Sequence, residues 1–331
     1  MKKYDVTGIG NALVDIEFKV SDQFFLDNGV EKGVMTLVDE ERQNALMGVI
    51  NTAEAKKQCG GSAANTVIAV SQFGGKSYYS CKVADDELGH FFTNDMKESG
   101  VDNNLNPGKL EPGITGKCLV MVTEDAERTM NTFLGITQTY SVADINESAI
   151  KDSKYLYIEG YLVTSDNGKA AMLQAKKIAE ENGVKVAMTF SDPAMVKYFK
   201  ANFDDVIGHS VDMLFANEEE AMIYTGKDNL KEAREELKKA AKHFVITQGK
   251  NGAMIWDGDT SIDIEPYQTQ AIDSNGAGDM FAGAFMYGIT NGHSYASSGK
   301  LASMASSKIV SQFGPRLTWP EAKEILGRLN P

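Results

Sequence analysis

From residue 155 onward, short runs of β-branched and aromatic residues alternate with stretches whose apolar positions recur at helical spacing. The pattern predicts strands at 155–158, 184–190, 212–216 and 244–247, separated by helices near 166–182, from about 218, and near 229–241. Repeated β-α units imply a parallel sheet with helices on both faces. The chain begins the same way, with a strand at 6–10 and a helix after Ser62. Two stretches break the rhythm. Residues about 12–40, and the alternating run 115–123 with its return at 128–134 around a polar 124–127 turn, read as antiparallel strands. Paired together they would form a small β-sheet lid, spanning about 12–40 and 113–135, over the open edge of the main sheet. Function would then sit between lid and sheet. The charge run 231–242 reads as a solvated helix face with pairs four residues apart.

Composition narrows the partners. The 331 residues carry 33 Lys and Arg against 46 Asp and Glu, a net charge of −13. That balance repels a phosphate backbone, and no basic stripe offsets it, so nucleic acid is not expected as a partner. No apolar stretch approaches the roughly 20 residues of a membrane span, and the run from Met1 enters a strand with no signal core, so a soluble cytoplasmic protein is expected. Cys59, Cys81 and Cys118 are scattered without CxxC spacing, which fits reduced thiols.

The most informative segment is Asp273-Ser274-Asn275-Gly276-Ala277-Gly278-Asp279, running directly into an apolar helical stretch. Small residues at a helix start leave backbone N–H groups free, a ready anion site, and Gly276 and Gly278 let the backbone come close to the anion. A plain Gly-rich, Asx-capped loop would look similar, but a carboxylate beside an anion site is repulsive unless it has a task. Asp279 could accept the proton of a hydroxyl receiving a phosphoryl group while the Gly276, Ala277 and Gly278 turn steadies the transferring charge, as in a kinase.

A second glycine pair opens the earlier helix, Gly60-Gly61-Ser62-Ala63-Ala64-Asn65. It reads either as a tight helix-packing turn or as a surface where a polar substrate lies on backbone, with Asn65 facing hydroxyls. Asn11 and Asp15 suit a sugar diol, and equally a turn and a cap. Asn217 and Glu220 read as an N-cap with first-turn acids, or as groups near a hydrated Mg²⁺, Glu220 acting through water. The Thr247-Gln248-Gly249-Lys250-Asn251-Gly252 turn is a hairpin connection by default and otherwise a nucleotide edge. Gly75-Lys76-Ser77 lacks the first glycine of a P-loop, and Gly8-Ile9-Gly10 meets Leu13 where a dinucleotide fingerprint needs its third glycine.

Together these residues resemble the ribokinase-like (phosphofructokinase-B-type) family of sugar and nucleoside kinases, over nearly the whole chain. The glycine pair ending in Asn65 and the late Asp-Thr-x-Gly-Ala-Gly-Asp segment, here with Ser274 in place of Thr, carry the resemblance. It implies one domain over 1–331, a three-layer α/β/α sandwich with a mostly parallel sheet and a β-lid. It also implies MgATP as donor, Asp279 as base and the Gly276 to Asp279 amides as anion hole. By the same resemblance Asn217, Thr247, Gly249, Gly252, Asn275 and Ser303 would serve the nucleotide, and Asp273 with Asn275 a monovalent cation such as K⁺.

Within the family the chain looks most like the adenosine kinase branch. That implies Asn11, Asp15, Gly60, Gly61, Ser62 and Asn65 around the ribose, Arg128 reaching the phosphates, and Val34, Thr36, Cys118, Met130, Thr132 and Tyr161 around the base. The expected activity is phosphorylation of a primary hydroxyl of a ribosyl compound, adenosine first. A free sugar such as ribose or fructose is the alternative acceptor, and a non-catalytic nucleoside- or sugar-binding protein the alternative class. Lid strands could cap a monomer or pair across a homodimer.

Overall fold

The computed structural model describes residues 2–50, 55–125 and 127–329, so Met1 and Ala126, expected from the sequence within the 124–127 turn, lie outside the described residues. The first half of the chain runs β1 (Tyr4–Ile9), β2 (Leu13–Lys19), α1 (Asp22–Asn28), β3 (Met35–Leu37), α2 (Glu40–Val49), β4 (Lys56–Gly60), α3 (Ser62–Gln72), β5 (Ser77–Ser80), α4 (Glu87–Glu98), β6 (Asp102–Asn103), β7 (Gly116–Val122) and β8 (Arg128–Phe133). There follow α5 (Glu147–Lys151), β9 (Ser153–Ile158), α6 (Asp166–Glu181), β10 (Lys185–Thr189), α7 (Pro193–Ile207), β11 (Val211–Asn217), α8 (Glu218–Thr225) and α9 (Leu230–Leu237). The chain then closes with β12 (Ala241–Thr247), β13 (Ala253–Trp256), β14 (Ser261–Ile264), α10 (Ala277–Thr290), α11 (Tyr295–Val310) and α12 (Trp319–Leu329).

Among the described residues nine strands form the large sheet, in the order β14-β13-β12-β11-β10-β9-β1-β5-β6. Neighbours from β12 to β6 run parallel, and β13 and β14 add an antiparallel edge. Alternate side chains feed two cores. Tyr155 and Tyr157 of β9 join α3, α10 and α11, while Leu156 and Ile158 join α6 and α7, which makes the three layers. Helix α6 shows why these segments are helical: Ala171, Met172, Ala175, Ile178 and Ala179 bury one face, and Ser165 caps the start by accepting from Gly168 N–H.

Among the described residues five strands make a smaller sheet, β3-β8-β7-β2-β4. Leu13, Cys118, Val120 and Val122 pack on one face of it, while Val14, Ile16, Leu119 and Met121 pack with Phe25 of α1 and Leu46 of α2. The two rhythm-breaking stretches do pair, as expected, but three details differ. Residues 12–40 contain α1, capped by Ser21 and ended by left-handed Gly29. β2 pairs with β7, and β3 with β8, in parallel, so only β7 with β8 and β2 with β4 are antiparallel. The fifth strand, β4, is too polar (Lys56, Lys57, Gln58) for its pattern to announce a strand.

Helix α9 also stops at Leu237, short of 241, because Ala241 already pairs with Val211 in the sheet. Its charged pairs Lys238–Glu235 and Lys239–Glu236 are three apart, not four. No helix among the described residues is long and apolar enough to cross a membrane.

Candidate active site

In the large sheet the chain steps from β1 to β5 on one side and later resumes at β9 on the other, so strand order reverses beside β1. Open α/β sheets form a crevice at the carboxyl ends of strands flanking such a reversal. A cavity of about 340 Å³ lies there, walled by Asn11, Glu159, Thr189, Asn217 and Thr247 of the large sheet's strand ends and by Leu13, Asp15, Cys118, Arg128 and Met130 of the smaller sheet.

The loop into α10 forms one end. Gly276 is its N-cap with φ +69, and a Cβ there would lie 2.2 Å from Pro315 Cβ, so both conformation and space require glycine. Among the described residues no side chain caps α10. The amides of Gly278 and Asp279 have no acceptor among the described residues, while Ala277 N–H donates to Ser274 O at 3.3 Å. Free first-turn amides make this terminus attractive to an anion. Asp279 faces α3, whose Ser62 Oγ donates to its Oδ1 at 2.7 Å and whose Asn65 Nδ2 donates to its Oδ2 at 3.1 Å. Burial raises the Asp279 carboxyl above its ordinary range, opposed by those two bonds and by the Arg128 charge.

Helix α3 starts at a crowded point: a Cβ on Gly61, φ +100, would lie 2.2 Å from Asn11 O. Its first turn is satisfied from a distance. Glu159, following β9, accepts Ala63 N–H on Oε2 at 2.8 Å, and Asn11 N–H and Nδ2 on Oε1 at 3.1 and 2.9 Å. Burial pushes this carboxyl up to about 7. Sequence reasoning missed Glu159, and its only sequence signal is an acid at the end of an otherwise apolar strand. Asp15 is likewise buried and pushed up to about 7, against the pull of Arg316 and Arg128. Gly60 is not on the cavity wall; it leaves room for Asp15, whose Oδ1 would be 1.9 Å from a Cβ there.

At the opposite end Asn217 and Glu220 form a reciprocal capping box at the start of α8: Asn217 Oδ1 accepts Glu220 N–H at 2.8 Å and Glu220 Oε2 accepts Asn217 N–H at 2.9 Å. Both still line the cavity, with Thr247, and burial pushes Glu220 up to about 8. Four residues expected around the nucleotide or the monovalent cation stay off the wall. Gly249 faces open space, Gly252 (φ +88) turns the β12–β13 hairpin against Ile264 O, Ser303 Oγ donates to Glu265 O, and Asp273 is buried beneath the loop. Asp273 braces that loop, its Oδ1 accepting Asn275 N–H at 2.9 Å and its Oδ2 Gly314 N–H at 3.1 Å. Arg128 Nη1 donates to Asn275 Oδ1 and so ties the smaller sheet to the same loop.

Among the described residues no three His, Cys, Asp or Glu gather as a metal cage. At the α8 end the cavity-lining carboxylate Glu220, beside Asn217, suits an ion that keeps most of its water, as Mg²⁺ does. In the Asp273 and Asn275 pair every side-chain oxygen already accepts a hydrogen bond.

Cys118, Met130, Thr132 and Tyr161 line the remaining wall, with Thr132 Oγ1 donating to Cys118 Sγ at 3.3 Å. Val34 and Thr36 do not. Strand alternation turns Met35 and Leu37 to the cavity and leaves Val34 and Thr36 exposed, a one-residue phase error in the sequence reading. Leu13, Leu134, Tyr157, Ser191 and Phe215 also reach the wall without having been foreseen.

These are the parts of a small-molecule phosphotransferase on an open α/β sheet. The chain belongs to the pfkB family of carbohydrate kinases, whose model matches residues 34–322. It is similar to the structure of a probable sugar kinase from Rhizobium etli CFN 42, with a TM-score of 0.93 and 35% identity over 99% of this chain and 100% of that one. The adenosine kinase of Sinorhizobium meliloti is also similar, with a TM-score of 0.92 and 34% identity over 98% and 99%. The 5-dehydro-2-deoxygluconokinase of Clostridium perfringens is 30% identical over 251 residues, 71% of this chain and 73% of the relative. The resemblance read from segments 60–65 and 273–279 therefore holds at the level of the family: the protein is a kinase acting on a small molecule of the sugar or nucleoside class, with ATP and a divalent metal.

Proposed function

We propose that the protein transfers the γ-phosphoryl group of ATP to the 5′-hydroxyl of adenosine, giving AMP and ADP. The observation that carries this reading is Asp279, held by Ser62 and Asn65 beside the free amides of Gly278 and Asp279. Asp279 takes the hydroxyl proton as the oxygen bonds to the γ-phosphorus and the bond to ADP breaks, while the α10 terminus and Arg128 meet the charge on the transferring group. Asn11, Asp15, Gly61 and Asn65 hold the ribose hydroxyls. Asn217 and Thr247 face ATP, and Glu220 orders the water shell of Mg²⁺, which neutralises phosphate charge when bound. The smaller sheet serves as a lid that excludes water from transfer. A cytoplasmic setting and a single domain accompany this reading, and a K⁺ at Asp273 and Asn275 would require Arg128 to release Asn275.

A second reading follows from the 5-dehydro-2-deoxygluconokinase relatives. That acceptor is a carboxylate, and among the described residues the cavity offers Asp15, Glu159, Glu220 and Asp279 against a single cation, Arg128. It also offers an apolar wall of Leu13, Met35, Met130 and Leu134, which suits a base and leaves a sugar acid unpartnered. Both features support adenosine. The test is product formation from MgATP with adenosine, inosine, ribose, fructose and 5-dehydro-2-deoxygluconate offered separately. AMP from adenosine, with the others slow, is the expected result. Turnover of a sugar or sugar acid alone would discard the base pocket, and silence on all five with adenosine still bound would indicate a non-catalytic binder.

A further inference from the structure

Ser191 is the only residue other than glycine with positive φ among the described residues, at 70°. Asp192 N–H donates to Phe190 O at 2.9 Å across it, so Phe190, Ser191 and Asp192 form a γ-turn of the positive-φ kind, which is rare and strained. Such backbone persists only where its surroundings over-determine it, and it concentrates at functional sites. The passage into α7 does not require it, because Asp192 caps that helix from an ordinary extended conformation, φ −161, with Oδ1 accepting Ala194 N–H at 2.7 Å.

What the turn does serve is the segment beside it. Gly160 lies directly against it: a Cβ there would fall 2.6 Å from Phe190 O and 2.5 Å from Thr189 O. Ser191 Oγ accepts Gly160 N–H at 3.0 Å, and Ser191 N–H donates to Thr189 Oγ1 at 3.1 Å. Gly160 opens the 3-10 turn Gly160–Thr164, which carries Tyr161 and Thr164 to the same cavity wall that Ser191 lines. Asp279 is held by other residues, Ser62 and Asn65, on α3.

We infer that Ser191 is a positioning residue: its γ-turn clamps Gly160, and through it Tyr161 and Thr164, at the acceptor end of the cavity. Ser191 therefore sets acceptor affinity and leaves the transfer step to Asp279. This rests on the acceptor reading proposed above.

The test compares Ser191→Gly, which accommodates the turn without strain but lacks the hydroxyl, with Ser191→Ala, which lacks the hydroxyl and keeps the strain. Amide hydrogen exchange over residues 159–164 should quicken in both. The Kd and KM of the acceptor selected by the panel above should rise about 3–10-fold, as loss of one hydrogen bond predicts, with kcat and the KM of ATP held within about twofold. Ser191→Gly should unfold at a temperature no lower than Ser191→Ala. Quickened exchange with unaltered acceptor affinity overturns the proposal alone, as does a change confined to kcat or to the KM of ATP. A wild-type protein that neither binds nor turns over any acceptor of the panel overturns the acceptor reading and this proposal with it.

Discussion

Ser62 and Asp279 lie 217 positions apart in the chain and meet at 2.7 Å, hydroxyl to carboxylate. With Asn65 on the other oxygen, this bond aims one carboxylate at the space before the α10 terminus. Replacing Asp279 by Asn keeps the shape and removes the base. We expect kcat to fall by ~10²–10⁴ with acceptor binding nearly intact, read by steady-state kinetics alongside calorimetry. An unchanged kcat would remove Asp279 from the role of base.

Ser62→Ala tests the holding bond itself. The Ser62 hydroxyl favours the ionised form of Asp279, so losing it should raise that carboxyl further. The acidic limb of the kcat profile should move to higher pH, and kcat near neutrality should drop by about 3–10-fold. A profile superimposable on wild type would mean that the pair is structural only.

Four buried carboxyls, Asp15, Glu17, Glu159 and Glu220, are pushed up to about 7 or 8, chiefly by burial. Folded protein therefore keeps protons that the unfolded chain releases near pH 4. Their contribution to stability is full below that point and is lost as pH rises through 7 to 8. Thermal unfolding measured between pH 5 and pH 8.5 should show the midpoint falling as pH rises. Asp15 has no hydrogen-bond partner among the described residues, so Asp15→Asn should flatten this trend and stabilise the protein at pH 8.5 by roughly 2–4 kcal/mol. Acceptor affinity should fall about 10-fold or more in the same variant, since an amide cannot replace a doubly accepting carboxylate. Equal stability of the two proteins at pH 8.5 would show that Asp15 is not strained by its burial.

How much of this was legible in the sequence depends on how local each device is. The loop before α10 works through its own backbone, and Gly276, Gly278 and Asp279 announce it within four positions. The α3 start was legible for the same reason. Glu159 was not, because it acts on Asn11 and Ala63, 148 and 96 positions away; the parallel pairing of β1 with β9 brings Asn11 to it, and the packing of α3 brings Ala63. Met35 and Leu37 were missed by one position, since a three-residue strand carries too little alternation to set its own phase. Ser191 carried no signal at all: a positive φ is not a preference of serine, and the Gly160 that it holds lies 31 positions away.

Arg128 opens β8 and donates to Asn275 in the loop that leads into α10, so one side chain ties the smaller sheet to that loop. On arrival of a phosphate it can exchange a neutral amide oxygen for an anion, which strengthens the bond. Arg128→Ala should lower kcat by ~10²–10³, the usual cost of losing one donor to developing charge, while acceptor Kd stays within a few-fold. A rise in acceptor KM at unchanged kcat would instead assign Arg128 to the acceptor.

Met130 separates the two candidate acceptors most directly. It lies on β8 in the apolar part of the cavity wall, packed with Leu13, Cys118 and Leu134. A purine would cover this side chain, and truncating it to alanine removes roughly 1.5–3 kcal/mol of apolar contact at most. For Met130→Ala we therefore expect adenosine KM to rise about 5–50-fold with the KM of ATP unchanged. A free sugar carries no base to cover this side chain, so turnover of such an acceptor should respond far less to the substitution than turnover of adenosine. A variant that loses sugar turnover and keeps adenosine turnover would reverse the assignment of this end of the cavity.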